Sequence, residues 1–369
     1  MALRLHYPNY TSFFKRKIFK VENKGKSGFW LATALGISAV AAYALLGKKR
    51  SKYDFQDKVV LITGGSRGLG LVLARTLARE GAKIAVCARN AEELARAKED
   101  LQSRGAEVFD IVCDVRNQSE VNRMIEAVCS HYGQIDVLIN NAGVIQVGPL
   151  EVQTQKDFED AMAIHFWGAY YTMSAALLKM RERGAGKIVN ISSIGGKISV
   201  PHLAPYCASK FALVGLSGAM GAELAKDNIQ VTTVCPGLMR TGSHVNAVFK
   251  GQNEKEFAWF SIGNALPVSS ISAERAADQI VEACRRGDAE LTISIQAQFA
   301  TKMNALFPEL TAGILGLVNQ FLPLAGGIGE GYALGKESAS FASPSFLTAR
   351  LDEESYLNNE LESSEKIAQ

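Results

Sequence analysis

Lys58-Val-Val-Leu-Ile-Thr-Gly-Gly-Ser-Arg-Gly-Leu-Gly70 is the stretch that decides the fold of this 369-residue chain. Residues 58–63 have the apolar run of a buried strand, and a helical pattern of apolar residues begins at Leu71. A glycine-rich turn between a strand and a helix start can hold a phosphate group. The backbone N–H groups and the helix dipole face the anion, and glycine lets the backbone approach it. We therefore predict a phosphate cradle here; an ordinary flexible turn is the alternative.

Strand and helix patterns alternate from this turn to about residue 295. Further strands are predicted at residues 83–88, 108–113, 136–140, 187–192, 229–234 and 290–295. Helices are predicted between them, one opened by Asn90 with Glu93 three residues later in a capping-box pattern. Helical connections of this length produce a parallel sheet with helices on both faces. The expected fold class is α/β, a Rossmann-type doubly wound parallel sheet of about seven strands, with ligands beyond the carboxyl ends of the strands.

Tyr206-Cys-Ala-Ser-Lys210 places a phenol and an ammonium group one helical turn apart, where two side chains share a helix face. A free tyrosine has a pKa of about 10, and a cation held beside it favours the phenolate. Such a pair can transfer protons near neutral pH. Because the same spacing also occurs on solvated helix faces, the neighbouring motifs decide between the two interpretations.

Taken together, these motifs resemble those of the short-chain dehydrogenase/reductase family, in the branch whose cofactor turn reads TGxxxGxG. The matching motifs are residues 63–70, the Asn-Asn-Ala-Gly run at 140–143, Ser193, Tyr206 with Lys210, and Pro236-Gly237 with Thr241. They lie within residues 55–295. The thirteen positions from Ser193 to Tyr206 are the usual spacing of the family, which selects Ser193 over Ser192.

The resemblance implies a catalytic role for three residues. Tyr206 would protonate the carbonyl oxygen in reduction and act as the base in oxidation. Lys210 would lower the tyrosine pKa and bind the nicotinamide ribose, and Ser193 would stabilise the substrate oxygen. The other implied cofactor contacts are Gly64, Ser66, Arg67, Gly68, Leu69 and Gly70 in the turn, Asp114 and Val115 against the adenine, Asn141, Ala142 and Gly143 along the cleft, and Pro236, Gly237 and Thr241 at the nicotinamide end.

The choice between NAD(H) and NADP(H) can be argued from charge. An acid at the end of the second strand binds the ribose 2′-hydroxyl of NAD, whereas arginine accommodates the 2′-phosphate of NADP. The second strand here ends at Arg89 without an acid, and Arg67 lies in the glycine turn. Two guanidinium groups can bind a phosphate dianion through several charge-assisted bonds. We predict NADP(H) over NAD(H); two solvated arginines are the alternative.

One position departs from the family pattern. The family usually has an asparagine in the helix after Asn-Asn-Ala-Gly, where it supports a water-linked proton relay to the lysine, and the aligned residue here is His165. Histidine can also donate and accept hydrogen bonds, and it titrates near neutral pH. The hypothesis is that His165 takes the relay role; a purely structural histidine is the alternative.

The N-terminal part of the chain predicts a membrane anchor. Residues 1–28 form a basic segment, and residues 29–46 are an uncharged run of eighteen residues, enough helix to cross the hydrocarbon core of a bilayer. Basic residues flank the run on both sides, and Trp30 and Tyr43 lie near its ends. We predict a single-pass membrane protein; a buried soluble helix is the alternative. The anchor's orientation stays open because both flanks are positive, but a need for NADPH favours a catalytic domain that faces the cytoplasm.

Three further segments follow or interrupt the domain. Residues 241–271 are expected to form a substrate lid, with an ordinary helix packed on the core as the alternative. Residues 296–335 are apolar but interrupted by glycine and proline, which predicts a helical extension that faces the membrane or covers the substrate. Residues 336–369 are rich in Ser and Glu, which predicts a solvated, disordered tail. The six cysteines show neither CxxC nor metal spacing, which fits reduced thiols and no metal site.

The leading functional hypothesis is a membrane-anchored, NADP(H)-dependent carbonyl reductase or alcohol dehydrogenase that acts on a lipophilic substrate of retinoid, steroid, sphingoid or fatty acyl type. A non-catalytic NADP(H)-binding scaffold or sensor is the alternative. A nucleotide-sugar epimerase is disfavoured, because that branch usually reads TGxxGxxG. The net charge of +3 gives no indication of a nucleic acid partner, since much of the basicity lies around the anchor. The family resemblance implies a homodimer or homotetramer.

Overall fold

The structure, a computed structural model, describes residues 53–265, 270–340, 343, 345 and 348–361. The basic segment and the predicted anchor at residues 29–46 lie outside these residues. Within the described residues, no helix combines the length and the apolar character needed to cross a membrane.

A seven-stranded parallel sheet forms the centre of the domain. The strands of the described residues are, in chain order, β1 Val59–Thr63, β2 Lys83–Ala88, β3 Val108–Val112, β4 Val137–Asn140, β5 Gln146–Val147, β6 Gly186–Ile191, β7 Ile229–Pro236, β8 Leu238–Arg240, β9 Val248–Phe249, β10 Ser270–Ser272, β11 Glu290–Ile293 and β12 Ala333–Leu334. The large sheet has the order β11-β7-β6-β4-β1-β2-β3, and the others form two small sheets. The predicted doubly wound parallel sheet is confirmed.

Helices cover both faces of this sheet. The α-helices of the described residues are, in chain order, α1 Gly68–Arg79, α2 Ala91–Ser103, α3 Gln118–Tyr132, α4 Gln155–Met162, α5 Gly168–Arg183, α6 Ala204–Leu224, α7 Asn253–Ala265, α8 Ala273–Arg286, α9 Ile295–Leu306, α10 Pro308–Asn319 and α11 Ala349–Leu357. Along β1, Val60 and Ile62 pack into one core, whereas Val59 and Leu61 pack into the other. Successive strand residues face opposite sides, so a strand buried on both faces reads as one continuous apolar run.

The sheet changes direction between β1 and β4. From β1 the chain winds outward through β2 and β3, and it then returns to place β4 on the other side of β1. The loops after these two strands diverge at their carboxyl ends, which opens the crevice where doubly wound folds bind ligands. The glycine turn after β1 and the Asn-Asn-Ala-Gly run after β4 both lie there.

The expected lid region packs largely on the domain. Helix α7 buries Phe257 and Phe260 in a small apolar cluster with Phe249 and Leu203. This arrangement matches the alternative interpretation, in which the apolar residues of the stretch serve packing.

The prediction of a disordered tail is wrong for residues 348–361. This segment contains α11, and Leu351, Ser355, Asn358 and Leu361 are buried. Its composition predicts solvation, but its polar side chains and backbone bond to the catalytic domain. A compositional pattern does not reveal such partners, because they are far away in sequence.

Candidate active site

Helix α6 carries Tyr206 and Lys210 at the carboxyl edge of the sheet. Pro205 lies in the first turn of the helix, where proline fits because its missing N–H has no partner in a helix. The Lys210 ammonium group donates to the Ile191 carbonyl at the end of β6 over 2.9 Å, and its Nζ lies 5.6 Å from the centre of the Tyr206 ring. The predicted pair therefore lies on one helix face and is anchored to the sheet.

The two adjacent serines after β6 have different surroundings. The Ser192 hydroxyl is buried and donates to the Lys210 carbonyl over 3.0 Å, so it fixes the helix to the strand. The Ser193 hydroxyl accepts from the Gly195 N–H over 3.0 Å and forms a hydrogen bond with the Tyr206 side chain. Of the two, Ser193 is the one beside the phenol, as the spacing argument predicts.

Burial acts on both members of the pair in the same sense, because it disfavours each charged form. It raises the pKa of Tyr206 to about 12, against the opposing hydrogen bond from Ser193. It lowers the pKa of Lys210 from its usual value of 10.5 to about 7. The expected depression of the tyrosine pKa is therefore not present among the protein groups alone. At neutral pH the phenol holds its proton, which is the state that a proton donor requires.

His165 lies in a π-helical turn, Ala163–Trp167, and both of its ring nitrogens have protein partners. Nε2 accepts from the Val144 N–H over 3.1 Å, so the proton resides on Nδ1, which lies 2.8 Å from the Ser209 hydroxyl. Ser209 in turn donates to the Tyr206 carbonyl over 2.8 Å. Burial, and then the charge of Lys210, hold the pKa of His165 well below its usual value. These contacts support the structural interpretation of His165 rather than the relay, because a neutral ring with both nitrogens paired holds α6 against the loop after β4.

The glycine turn and the loop after β4 form one hydrogen-bonded unit. The Asn141 amide donates to the carbonyls of Thr63 and Gly64 over 3.1 and 3.0 Å, and the Thr63 hydroxyl accepts from the N–H groups of Asn141 and Ala142. A Cβ at Gly70 would lie 2.1 Å from the Gly64 carbonyl oxygen, so only glycine fits at this position. The two loops that bound the crevice are thereby held in register.

Asp114, which is predicted to contact the adenine, forms an ion pair with Arg116. Burial raises the pKa of its carboxyl, but hydrogen bonds from Arg116 outweigh this effect and hold the pKa below its usual value. The closest of these contacts joins Arg116 Nη2 to the carboxylate over 2.6 Å. Asp114 thus lines the crevice as a charge-paired group.

Arg67 also has partners within the protein. Its guanidinium group lies 3.2 Å from the Glu93 carboxylate and 3.4 Å from the Glu360 carboxylate. A 2′-phosphate at this position would compete with two acids for one arginine. Arg89, which directly follows β2, lines the same cavity as Glu93.

A cavity of about 650 Å³ joins these groups. Of the predicted site residues, its walls include Gly64, Ser66, Arg67, Gly68, Leu69, Arg89, Asp114, Val115, Asn141, Ala142, Gly143, His165, Tyr206, Lys210 and Thr241. Gly70, Ser193, Pro236 and Gly237 lie outside that lining. The sequence did not indicate Asn246 and Glu360, which also line it. No sequence motif points to Asn246, and Glu360 belongs to the segment predicted to be disordered.

The crevice fits a dinucleotide. The backbone at the start of α1 borders it, one glycine of the turn excludes any Cβ, and the volume lies in the range of small-molecule sites. Among the residues that the structure describes, no cluster of three or more His, Cys, Asp or Glu side chains could hold a metal ion.

A doubly wound sheet with a phosphate cradle and a Ser–Tyr–Lys set at one edge defines the class of nucleotide-dependent oxidoreductases. The chain belongs to the short chain dehydrogenase family, whose profile matches residues 58–250. It is an oxidoreductase that acts on CH–OH groups or the corresponding carbonyls.

Known relatives agree with this assignment. Gluconate 5-dehydrogenase of Gluconobacter oxydans is 38% identical over 181 residues, which cover 49% of this chain and 71% of that enzyme. A dehydrogenase/reductase SDR family protein 7-like of Drosophila melanogaster is 28% identical over 286 residues, covering 76% of this chain and 86% of that protein. Among solved structures, a variant of actinorhodin polyketide ketoreductase with NADPH superposes with a TM-score of 0.57 at 33% identity, covering 64% of this chain and 95% of that chain.

Proposed function

We propose that this protein is an NADP(H)-dependent enzyme that interconverts a carbonyl group and an alcohol on a lipophilic substrate at a membrane. The observation that carries the proposal is the Ser193–Tyr206–Lys210 arrangement at the carboxyl edge of the sheet, where Tyr206 and Lys210 line the same cavity as the glycine turn. It supplies a proton donor, a hydrogen-bonding hydroxyl and a titratable amine around one position.

The pKa shift of Tyr206 defines the starting state for reduction, in which burial keeps the phenol protonated at neutral pH. In reduction the substrate oxygen lies between the hydroxyl groups of Ser193 and Tyr206, which stabilise the negative charge that develops on it. A bound nicotinamide dinucleotide supplies the hydride. Tyr206 then transfers its phenolic proton to the substrate oxygen and becomes a phenolate. Lys210, whose pKa is about 7, stabilises this phenolate when the amine is protonated.

The preference for NADP(H) is supported by Arg67 and Arg89 and by the lack of an acid at the end of β2. Replacement of Arg89 by Asp removes a cation and places a carboxylate where a 2′-phosphate would lie. The NADPH dissociation constant should rise by about tenfold or more, since a charge-assisted hydrogen bond is worth about 1.5–3 kcal/mol. NADH should gain relative to NADPH. Equal affinities of the variant and the parent for both cofactors would remove this part of the proposal.

Residues 295–328, which include two consecutive helices, are here called the helical hairpin. This hairpin supports the proposals of a lipophilic substrate and of a membrane location. Lys302 and Glu309 are its only charged residues. Its exposed apolar side chains include Ile295, Phe299, Leu306, Phe307, Leu310, Ile314, Leu317, Val318, Phe321 and Leu324. The Asn304 amide donates to the Lys197 carbonyl over 3.1 Å, so the hairpin adjoins the loop that follows Ser193.

A bilayer can accommodate the apolar surface of this hairpin. Helix α10, which is described throughout, contains no buried residue, and its exposed apolar residues Leu310, Ile314, Leu317 and Val318 share one helix face. A helix with such a face can lie in the membrane interface with its apolar side buried in lipid. The predicted anchor at residues 29–46 would hold the same chain at the same membrane.

The experiment that tests the enzymatic proposal follows NADPH consumption by the detergent-solubilised full chain against long-chain and polycyclic ketones and aldehydes. Short, water-soluble carbonyls serve as the matched set. Turnover should be faster with the lipophilic set at equal concentration. If the protein binds NADPH and reduces none of them, the proposal is overturned.

We also propose that the catalytic domain faces the cytoplasm, where NADPH is supplied. All six cysteines are free, as expected in a reducing compartment. Protease added to sealed vesicles with the cytoplasmic face outward should digest the domain. Complete protection of the domain in such vesicles would reverse the orientation.

A further inference from the structure

The segment 348–361, here called the strap, bonds to the glycine turn on one side of the cofactor cavity. The Gly68 N–H at the start of α1 donates to the Asn358 carbonyl over 2.9 Å. The Asn359 amide donates to the carbonyls of Ser66 and Glu93 over 2.8 and 2.9 Å. The strap therefore touches the backbone that forms the phosphate cradle.

The same segment bonds to the opposite wall of the cavity. The Asn246 amide donates to the Glu360 carbonyl over 2.7 Å and to its carboxylate over 2.8 Å. The Ser355 hydroxyl donates to the Gly242 carbonyl over 3.2 Å. Gly242 and Asn246 follow Thr241, the residue assigned to the nicotinamide end. The strap thus spans the cavity from the phosphate end to the nicotinamide end.

The strap is held by burial as well as by hydrogen bonds. Ser355 and Asn358 are 0% and 1% exposed, and Leu361 is 3% exposed in an apolar cluster with Val245. Arg75 on α1 donates to the Leu357 carbonyl over 2.9 Å. This burial and the hydrogen bonds to α1 show that the segment packs as part of the domain.

Glu360 places a carboxylate directly against the cradle. A Cβ at Gly68 would lie 2.4 Å from the Glu360 carboxylate, and the Arg67 guanidinium lies 3.4 Å from it. The N-terminus of a helix favours an anion. Burial nevertheless outweighs the favourable effects of Arg67 and Asn246 and raises the pKa of the Glu360 carboxyl. The cavity beneath it still has a volume of about 650 Å³, so the strap forms a wall and does not fill the crevice.

We propose that Asn358, Asn359 and Glu360 belong to the cofactor site and that the strap closes over a bound dinucleotide, so that cofactor exchange requires its release. The inference rests on the proposed function in one respect, namely that the ligand is a nicotinamide dinucleotide. It assigns cofactor retention to a part of the chain outside the residues 58–250 that define the family match.

The first test compares three forms of the protein: the full chain, a chain lacking residues 348–369, and a matched control lacking only residues 362–369. NADPH binding and dissociation are followed by nucleotide fluorescence in a stopped-flow instrument. Loss of the strap should accelerate NADPH dissociation by about tenfold or more, because several hydrogen bonds of about 0.5–1.5 kcal/mol each are lost with it. The control deletion should leave the rate unchanged.

A point variant keeps the test independent of the folding of the shortened chain. Asn359→Ala removes the bonds to Ser66, Glu93 and Arg96, whereas Leu357→Ala changes an exposed side chain of the same segment. NADPH should leave the Asn359 variant several-fold faster, and the Leu357 variant should match the parent. Bound NADPH should also slow proteolytic cleavage within residues 348–361 of the full chain.

The outcomes separate this inference from the proposed function. If the full chain binds NADPH and both the deletion and Asn359→Ala release it at the parental rate, the strap has no role in retention. If the deletion tightens NADPH binding, the segment competes with the cofactor and the inference is wrong. If the full chain binds no nicotinamide dinucleotide at all, the proposed function fails as well.

Discussion

Lys210 and Tyr206 are each pushed toward the neutral form by burial, and this has a consequence for stability. A lysine whose pKa is about 7 in the folded chain and 10.5 when unfolded binds fewer protons in the folded state between these values. Stability rises with pH wherever the unfolded state binds more protons. The contribution of Lys210 should therefore become more favourable from about pH 7 to about pH 10.

The prediction is tested with Lys210→Met, which removes the titrating amine. The free energy of unfolding is measured by urea denaturation for both proteins. The difference between the parent and the variant should increase in favour of the parent by a few kcal/mol between pH 7 and pH 9.5. The other groups that titrate in this range are present in both proteins, so their contributions cancel in the difference. A difference that stays constant with pH would contradict the assigned shift.

His165 shows that one residue type at a departure from a family pattern is compatible with two interpretations. The histidine type indicates a titrating group, but Val144 and Ser209 occupy both ring nitrogens. His165→Asn should lower the free energy of unfolding by about 1–3 kcal/mol, because buried partners are left unpaired. The inflections of the pH–rate profile should not move.

The matched variant for His165 is Ser209→Ala, which breaks the same chain of hydrogen bonds one link further on. It should destabilise the protein in the same direction and by a smaller amount. A shifted pH–rate profile in His165→Asn, with unchanged stability, would restore the relay hypothesis.

At the scale of elements, the sheet was predictable because its central strands are buried on both faces. Residues such as Val60 and Leu61 face opposite cores, so the strand reads as one apolar run with polar bounds. The glycine turn was predictable because sterics require its glycines. The contacts of the strap were not, because residues such as Asn359 bond to partners such as Ser66 that lie far away in sequence.

The helical hairpin of residues 295–328 is the element on which the proposed membrane association can be tested. Leu317→Ser with Phe321→Ser makes its exposed surface polar without removing a buried contact. In lipid vesicles the kcat/KM for a long-chain carbonyl should fall several-fold, since each buried apolar side chain is worth about 1.5–3 kcal/mol. The value for a short, water-soluble carbonyl should not change.

The matched control for the hairpin is Asn319→Ser with Gln320→Ser, which alters polar residues next to the same positions. It should leave both substrates unaffected. If kcat/KM of the Leu317→Ser, Phe321→Ser variant fell equally for the two substrates, or did not fall for the long-chain one, the hairpin would have no role in substrate delivery.

At the scale of the whole molecule, the chemistry of the site was more predictable from sequence than its surroundings. The spacing from Ser193 to Tyr206 and Lys210 specified three residues that the fold brings to one edge. The charge state of that set was not predictable, because it depends on burial. The prediction of a disordered tail failed because tertiary contacts are not visible in local patterns.

The central claim is that Tyr206 donates the proton in carbonyl reduction, and Tyr206→Phe tests it most directly. The variant keeps the ring and removes only the hydroxyl. NADPH-dependent turnover of the best lipophilic carbonyl should fall by about 10²–10⁴-fold, while the NADPH dissociation constant stays within a few-fold of the parent. Parental turnover by the Tyr206→Phe protein would contradict the account.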